Sequence, residues 1–125
     1  MFSHVFIGTN DLERAKKFYD PVMGALGIGP AAVDGNRMFY RGPTGMFGIT
    51  KPIDGEPATV SNGATLGFAC TSPAQADAWH AAGVANGGTT CEGPPGVREG
   101  GAGKLYLAYL RDPDGNKLCA LHFMG

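Results

Sequence analysis

His4, Cys119, Arg98 and Tyr106 are side chains of types that do chemistry. His4 carries an imidazole that titrates near neutral pH, so it is a candidate catalytic acid or base. It fits equally a strand residue hydrogen-bonded beside a partly open cleft. Cys119 would act as a nucleophile only with a base at hand, and none is close in sequence, so the fold would have to make the pair. Cys119 and Cys70 also fit the role of small buried fillers. Arg98 lies in the Gly-rich stretch 93–103, where a mobile loop could close over a ligand, or where the charge is simply solvated. Glu92 and Glu99 lie in or beside the same stretch and could lend a carboxylate if it folds inward.

The elements that must position these residues are announced by a turn that occurs twice. Arg41-Gly42-Pro43-Thr44-Gly45 returns as Arg111-Asp112-Pro113-Asp114-Gly115, each time between two apolar runs. Pro presets φ and Gly permits positive φ, which suits a tight turn between strands. The same duplication is visible upstream. The apolar run His4–Gly8 meets Thr65–Ala69 at a shift of 61, where Ala15 falls on Ala76 and Phe18 on Trp79. Helix caps follow both runs: Asn10 or Asp11 in the first half, Thr71 or Ser72 before Pro73 in the second. Each half therefore reads strand, helix, strand, strand, strand. The first-half strands fall near 3–8, 31–33, 37–41 and 46–50, with a helix over 12–26. The second-half strands fall near 64–71, 89–91, 104–111 and 116–123, with a helix over 73–86. Leu12, Ala15, Phe18, Tyr19, Val22 and Leu26 form the apolar stripe of the first helix. Pro21 inside it predicts a kink or early break, and Gly27 and Gly88 are placed for a left-handed helix exit. The shift grows to 70 at the turns because 93–103 reads as an extra loop.

Composition bounds the rest. A chain of 125 residues buries a usable core, whereas each half alone would be marginal. A single domain over 1–125 is expected, with module one at about 1–51, a linker at about 52–62 and module two at about 63–125. A net charge of −1 without a basic run argues against nucleic-acid binding. No apolar run is long enough to span a membrane and no secretory leader is apparent. Three cysteines without a close pair point to reduced thiols and a cytoplasmic location.

Paired strand-helix-three-strand units, a first strand opening on His4, and a closing Tyr106…Arg111-Asp-Pro-Asp-Gly-Asn116 together resemble the vicinal oxygen chelate superfamily. That group includes glyoxalase I, extradiol dioxygenases, methylmalonyl-CoA epimerase, fosfomycin resistance enzymes and bleomycin resistance proteins. The resemblance covers essentially the whole chain. It implies an α+β fold of two βαβββ modules in tandem, with curled mixed sheets around a shared cleft and helices outside. It also implies a possible homodimer. In the metal enzymes of the group, the first and last strand of each module supply His, Glu or Gln ligands to a divalent ion.

Carried onto this chain, the resemblance designates His4 and Thr65 on the first strands, and Ile49 (within a residue) and Cys119 on the last. The pattern would place a His at 65 and a Glu at 119, so His4 alone is retained. One imidazole does not hold such an ion, which needs three protein ligands or more. A Cys119 thiolate would favour a softer metal such as zinc. Strand alternation puts His4 and Phe6 on one face and Val5 and Ile7 toward the helices, with Cys119, Leu121 and Phe123 opposite Leu118, Ala120 and His122. The expected cleft is apolar and aromatic, lined by Phe6, Phe47, Thr65, Tyr106, Cys119 and Leu121, with Arg98 as polar anchor and Arg41 and Arg111 bracing their turns. The expected function is binding of a small organic molecule with no cofactor. The other reading is a glyoxalase-type lyase, isomerase or dioxygenase using Zn, Ni, Mn or Fe.

Overall fold

The protein's structure, a computed structural model, describes residues 1–101 and 103–125. The first module runs β1 (His4–Gly8), α1 (Leu12–Gly24), β2 (Ala32–Asp34), β3 (Arg37–Arg41) and β4 (Met46–Thr50). The second runs β5 (Leu66–Ala69), α2 (Pro73–Ala85), β6 (Thr89–Thr90), β7 (Gly96–Gly100), β8 (Gly103–Arg111) and β9 (Lys117–Phe123). The first sheet has the order β1-β4-β3-β2, and the second β5-β9-β8-β6, with β7 also on β8. In each sheet the first strand lies parallel to the last and the other pairings are antiparallel. Parallel neighbours need a long crossover, which the helix and the intervening strands supply. The fold is thus α+β, with two βαβββ modules in tandem.

Both helices start on side-chain caps. The Asp11 carboxylate accepts from the Arg14 amide at 3.0 Å, and the Ser72 hydroxyl from the Gln75 amide at 3.1 Å. In α1 the buried residues are Ala15, Phe18, Tyr19, Val22 and Met23, the i, i+3, i+4 stripe that covers a sheet. α1 continues through Pro21 to Gly24 rather than breaking there. Pro21 lies in the last turn, where the loss of one amide donor costs little of the ladder. The left-handed exits are Gly27 (φ +80) and Gly87 (φ +100), not Gly88. Gly88 is instead a point of close approach: a Cβ there would lie 2.5 Å from the Phe18 ring and 2.9 Å from the Gly83 carbonyl.

The stretch 93–103, expected as a loop, contains β7, an antiparallel partner of β8 in which Arg98 faces Leu105. Five strand residues here satisfy their backbone groups on the free edge of β8, which a glycine-rich composition disguised. Residue 102 of that stretch lies outside the described residues.

One core serves both modules. Tyr19 on α1 meets Phe47 on β4 at 5.2 Å between ring centroids, Phe47 meets Phe68 on β5 at 5.2 Å, and Phe68 meets Trp79 on α2 at 6.4 Å. This aromatic line crosses from one helix through both sheets to the other helix. A Phe47→Ala change in its middle would cost about 3–5 kcal/mol. Among the described residues, no helix is long and apolar enough to cross a membrane.

Candidate functional site

The sheet faces turned away from the helices carry the candidate residues. Strand alternation and register decide which side chains reach them. On the first sheet, Phe6 and Phe39 both pair with Gly48. A Cβ at Gly48 would lie 2.3 Å from the Phe6 ring, so the glycine is what lets that ring lie flat across β4. Phe6 then meets Phe39 edge-on at 5.5 Å and His4 at 5.9 Å, with the Arg37 guanidinium 5.7 Å from its ring centroid. His4 is exposed, and its Nδ1 is 2.8 Å from the Ser3 hydroxyl.

On the second sheet, Gly67 pairs with Cys119, and Cys119 with Tyr109. Leu105, Leu107 and Leu121 share this face, with Leu107 opposite Leu121. Two cations attend the Tyr109 ring: Lys117 Nζ at 5.1 Å and the Arg98 guanidinium at 5.7 Å from its centroid. Arg98 is held by the carbonyls of Glu92 and Pro94, each 3.0 Å from Nη2. Lys117 pairs with Glu92, which raises the ammonium pKa. Glu92 adopts a φ of +53, an unusual conformation for a side-chain-bearing residue, where it can reach Lys117 with its carboxylate and Arg98 with its carbonyl. Burial pushes the Cys119 thiol up to about 11. A thiol so raised is not a ready nucleophile.

Several expectations change on this geometry. Phe47 and Ile49 belong to the core beneath the first sheet, not to an outer face. Tyr106 also points to the helix side, where its hydroxyl donates to Asp77 on α2 at 2.7 Å. Tyr109 takes the place that Tyr106 was expected to fill, since the opposite parity of β8 faces outward. The repeat partner of Cys119 is Gly48 rather than Ile49, because Phe6↔Gly48 and Gly67↔Cys119 are equivalent pairs. The second turn carries one more residue, Asn116, than the first, so the shift there is 71 and not 70. Counting outward from that turn would have revealed both points: Arg111 faces Lys117, Leu110 faces Leu118 and Tyr109 faces Cys119. Thr65 stands on the exposed rim before β5, and Arg98 on β7. Arg111 braces its turn by donating to the Gly115 carbonyl at 2.8 Å. His122 stays off the outer face, with Nδ1 3.2 Å from the Cys70 carbonyl.

The positions designated for a divalent ion differ in what they offer. Ile49 is core, its outward neighbour Gly48 is covered by Phe6, Thr65 offers only a hydroxyl, and Cys119 is buried. Among the described residues, no group of three or more His, Cys, Asp or Glu side chains could hold an ion.

Two cavities open beside residues 60–66. One of about 180 Å³ lies between β1 and β5, with Val5, Ile7, Thr65 and Leu66 in its walls. The other, of about 440 Å³, lies between residues 60–64 and the pair Arg111 and Lys117.

Comparison with known proteins agrees with this architecture. A crystal structure of a glyoxalase/bleomycin resistance protein from Albidiferax ferrireducens T118 is 69% identical, with a TM-score of 0.96 and 98% of each chain covered. A glyoxalase-related enzyme from Fulvimarina pelagi shares the fold at 18% identity and a TM-score of 0.74, covering 98% of this chain and 88% of that one. A lactoylglutathione lyase from Agrobacterium tumefaciens does so at 20% identity and a TM-score of 0.67, covering 98% and 92%. No match was found among curated proteins. The family model described as Glyoxalase/Bleomycin resistance protein/Dioxygenase superfamily matches residues 1–120, and the chain belongs to that superfamily.

Proposed function

We propose that the protein binds a small organic molecule with a planar, apolar part on the outer face of the second sheet, and does so without a divalent ion. The observation that carries this reading is the setting of Tyr109. Its ring shares the face of Leu105, Leu107 and Leu121, opposite Cys119, with the Lys117 ammonium and the Arg98 guanidinium over it. Such a surface offers apolar area and an aromatic ring for contact with a planar group. The protein is read as a cytoplasmic binder, acting as a homodimer.

The test combines metal analysis with a ligand screen. The purified protein is expected to carry well under one equivalent of zinc, nickel, manganese or iron, and its melting temperature to be unmoved by adding them. An aromatic library is expected to yield stabilising ligands whose affinity falls about tenfold in Tyr109→Ala. One tightly held ion per chain, lost on His4→Ala, would replace this reading with a metal-dependent lyase, isomerase or dioxygenase.

A further inference from the structure

We infer that the ligand of this face is an organic anion, whose carboxylate or phosphate sits in the 440 Å³ cavity between residues 60–64 and the cross-strand pair Arg111 and Lys117. The inference rests on the binding reading above and adds the charge of the ligand and the place of its acidic group.

Arg111 and Lys117 stand directly opposite each other in the β8–β9 register. Like charges so placed repel and destabilise the pair. The protein relieves this only in part. Lys117 has Glu92, whose side chain is about half exposed, and Arg111 has the neutral Gly115 carbonyl. Among the described residues, no carboxylate pairs with Arg111. An anion between the two would turn the repulsion into a doubly charge-assisted contact, and a guanidinium fork beside an ammonium suits a carboxylate or phosphate.

The opposite wall is built to face them. Residues 61–64 form a turn closed by the Ala64 amide donating to the Ser61 carbonyl at 3.0 Å, with Gly63 at φ +98. Ser61 and Asn62 of this turn line the cavity. Val60 packs on the second turn, 3.4 Å from where a Gly115 Cβ would stand, which fixes the wall relative to Arg111. The cavity volume lies within the range of ligand sites, roughly 300–1,000 Å³.

Lys117 joins this cavity to the aromatic face, because it lines the one and lies 5.1 Å from the Tyr109 centroid in the other. A single ligand can therefore lay a ring beside Tyr109 and extend an acidic group to Arg111. Arg98, Arg111 and Lys117 against Glu92 give this side a positive balance in a chain of net charge −1, which draws an anion toward it. Glu92 competes with the ligand for Lys117.

The experiment uses three probes on the intact chain: 2-naphthoate and 2-naphthamide by calorimetry, and inorganic phosphate by amide chemical shifts. Naphthoate is expected to bind at least tenfold more tightly than the amide. Phosphate is expected to shift the amides of 61–64 and 117. Glu92→Gln frees Lys117 and should tighten naphthoate several-fold, an effect that a damaged fold would not give. Lys117→Gln and Arg111→Gln, checked for folding by circular dichroism, should each erase the preference for the acid. Equal affinity for acid and amide with phosphate inert overturns the inference and leaves the binding reading standing. Phosphate binding without either naphthalene overturns the aromatic face and leaves the anion site. Silence from all three overturns both, and an acid preference that survives the Arg111 and Lys117 variants overturns the location.

Discussion

The two modules share a backbone plan and differ at equivalent positions in ways that give them different work. On the first outer face an aromatic ring, Phe6, lies over a glycine, Gly48, and closes the surface. On the second, the place of Phe6 is taken by Gly67 and that of Gly48 by Cys119, so the space above β9 is left to Tyr109. The turns differ in the same manner. The first is closed by the Gly42 amide donating to the Gly45 carbonyl at 2.8 Å, and its residues are exposed. The second has Asp112 and Asp114 where the first has Gly42 and Thr44, and both aspartates reach into the other module. Asp112 accepts from the Tyr19 hydroxyl at 2.6 Å, and Asp114 from the Thr9 hydroxyl, the Asn10 amide and Arg14 at 2.5–2.9 Å. Asn116 adds a bond to the Gly8 carbonyl at 3.0 Å. Duplication supplied the shape of both halves. Side-chain differences made one turn a joint and left one outer face open around Tyr109.

The largest expected effect tests the joint. Asp112 is buried and accepts four hydrogen bonds, from the Tyr19 hydroxyl, the Asp114 and Asn116 amides and the Asn116 carboxamide. Asp112→Ala strands those donors and should cost about 3–4 kcal/mol in urea unfolding. Thr44→Ala, the change at the exposed first turn that matches Asp114, should stay within about 0.5 kcal/mol. A cost below about 1 kcal/mol for Asp112→Ala would remove the distinction between the turns.

A smaller effect tests the faces. Gly48→Ala drives a methyl into the Phe6 ring, which must swing off the sheet, at about 1–2 kcal/mol. Adding Phe6→Ala should recover most of that cost, a coupling that a double-mutant cycle measures. Gly67→Ala meets nothing within 4 Å and should be neutral or stabilising by about 0.5–1 kcal/mol. Equal costs for the two glycines would mean that the first face is not closed by Phe6.

How much of this could be read in the sequence follows the range of the forces involved. The paired turns, the helix caps at Asp11 and Ser72 and the α1 stripe are local signals, and they placed the modules. β7 was hidden because its pairing depends on β8 rather than on its own glycines. Phe47 was misassigned for a reason of register: β4 is buried on both faces from Phe47 to Ile49, so hydrophobicity does not mark which parity faces the helix. Tyr106 and Tyr109 differ only in parity, and the added Asn116 moved the count by one. The cluster of Glu92, Arg98 and Lys117 around Tyr109 joins three separate strands and loops, which no local pattern reveals.

The smallest effect distinguishes two carboxylates that each accept a tyrosine hydroxyl. Asp112 takes Tyr19 of the other module at 2.6 Å, and Asp20 takes Tyr40 of its own at 2.7 Å. Burial raises the Asp112 pKa, and the bonds from Tyr19 and Asn116 offset only part of that. At Asp20, burial pulls the same way, but hydrogen bonds from Lys16, Tyr40 and the Ala31 amide win and lower it. The signs of the linkage are therefore opposite. A raised carboxyl stabilises the fold fully below its unfolded value and loses that contribution as pH rises through the folded value. A lowered one contributes above its unfolded value and loses the contribution as pH falls through the folded value. The cost of Asp112→Asn should thus shrink as pH is raised from about 3 to 7, while the cost of Asp20→Asn should grow over the same range. Urea midpoints at several pH values read both trends directly. Parallel trends would show that the inter-module joint is no more desolvated than a bond within one module, and that the second turn gains nothing from being buried between the halves.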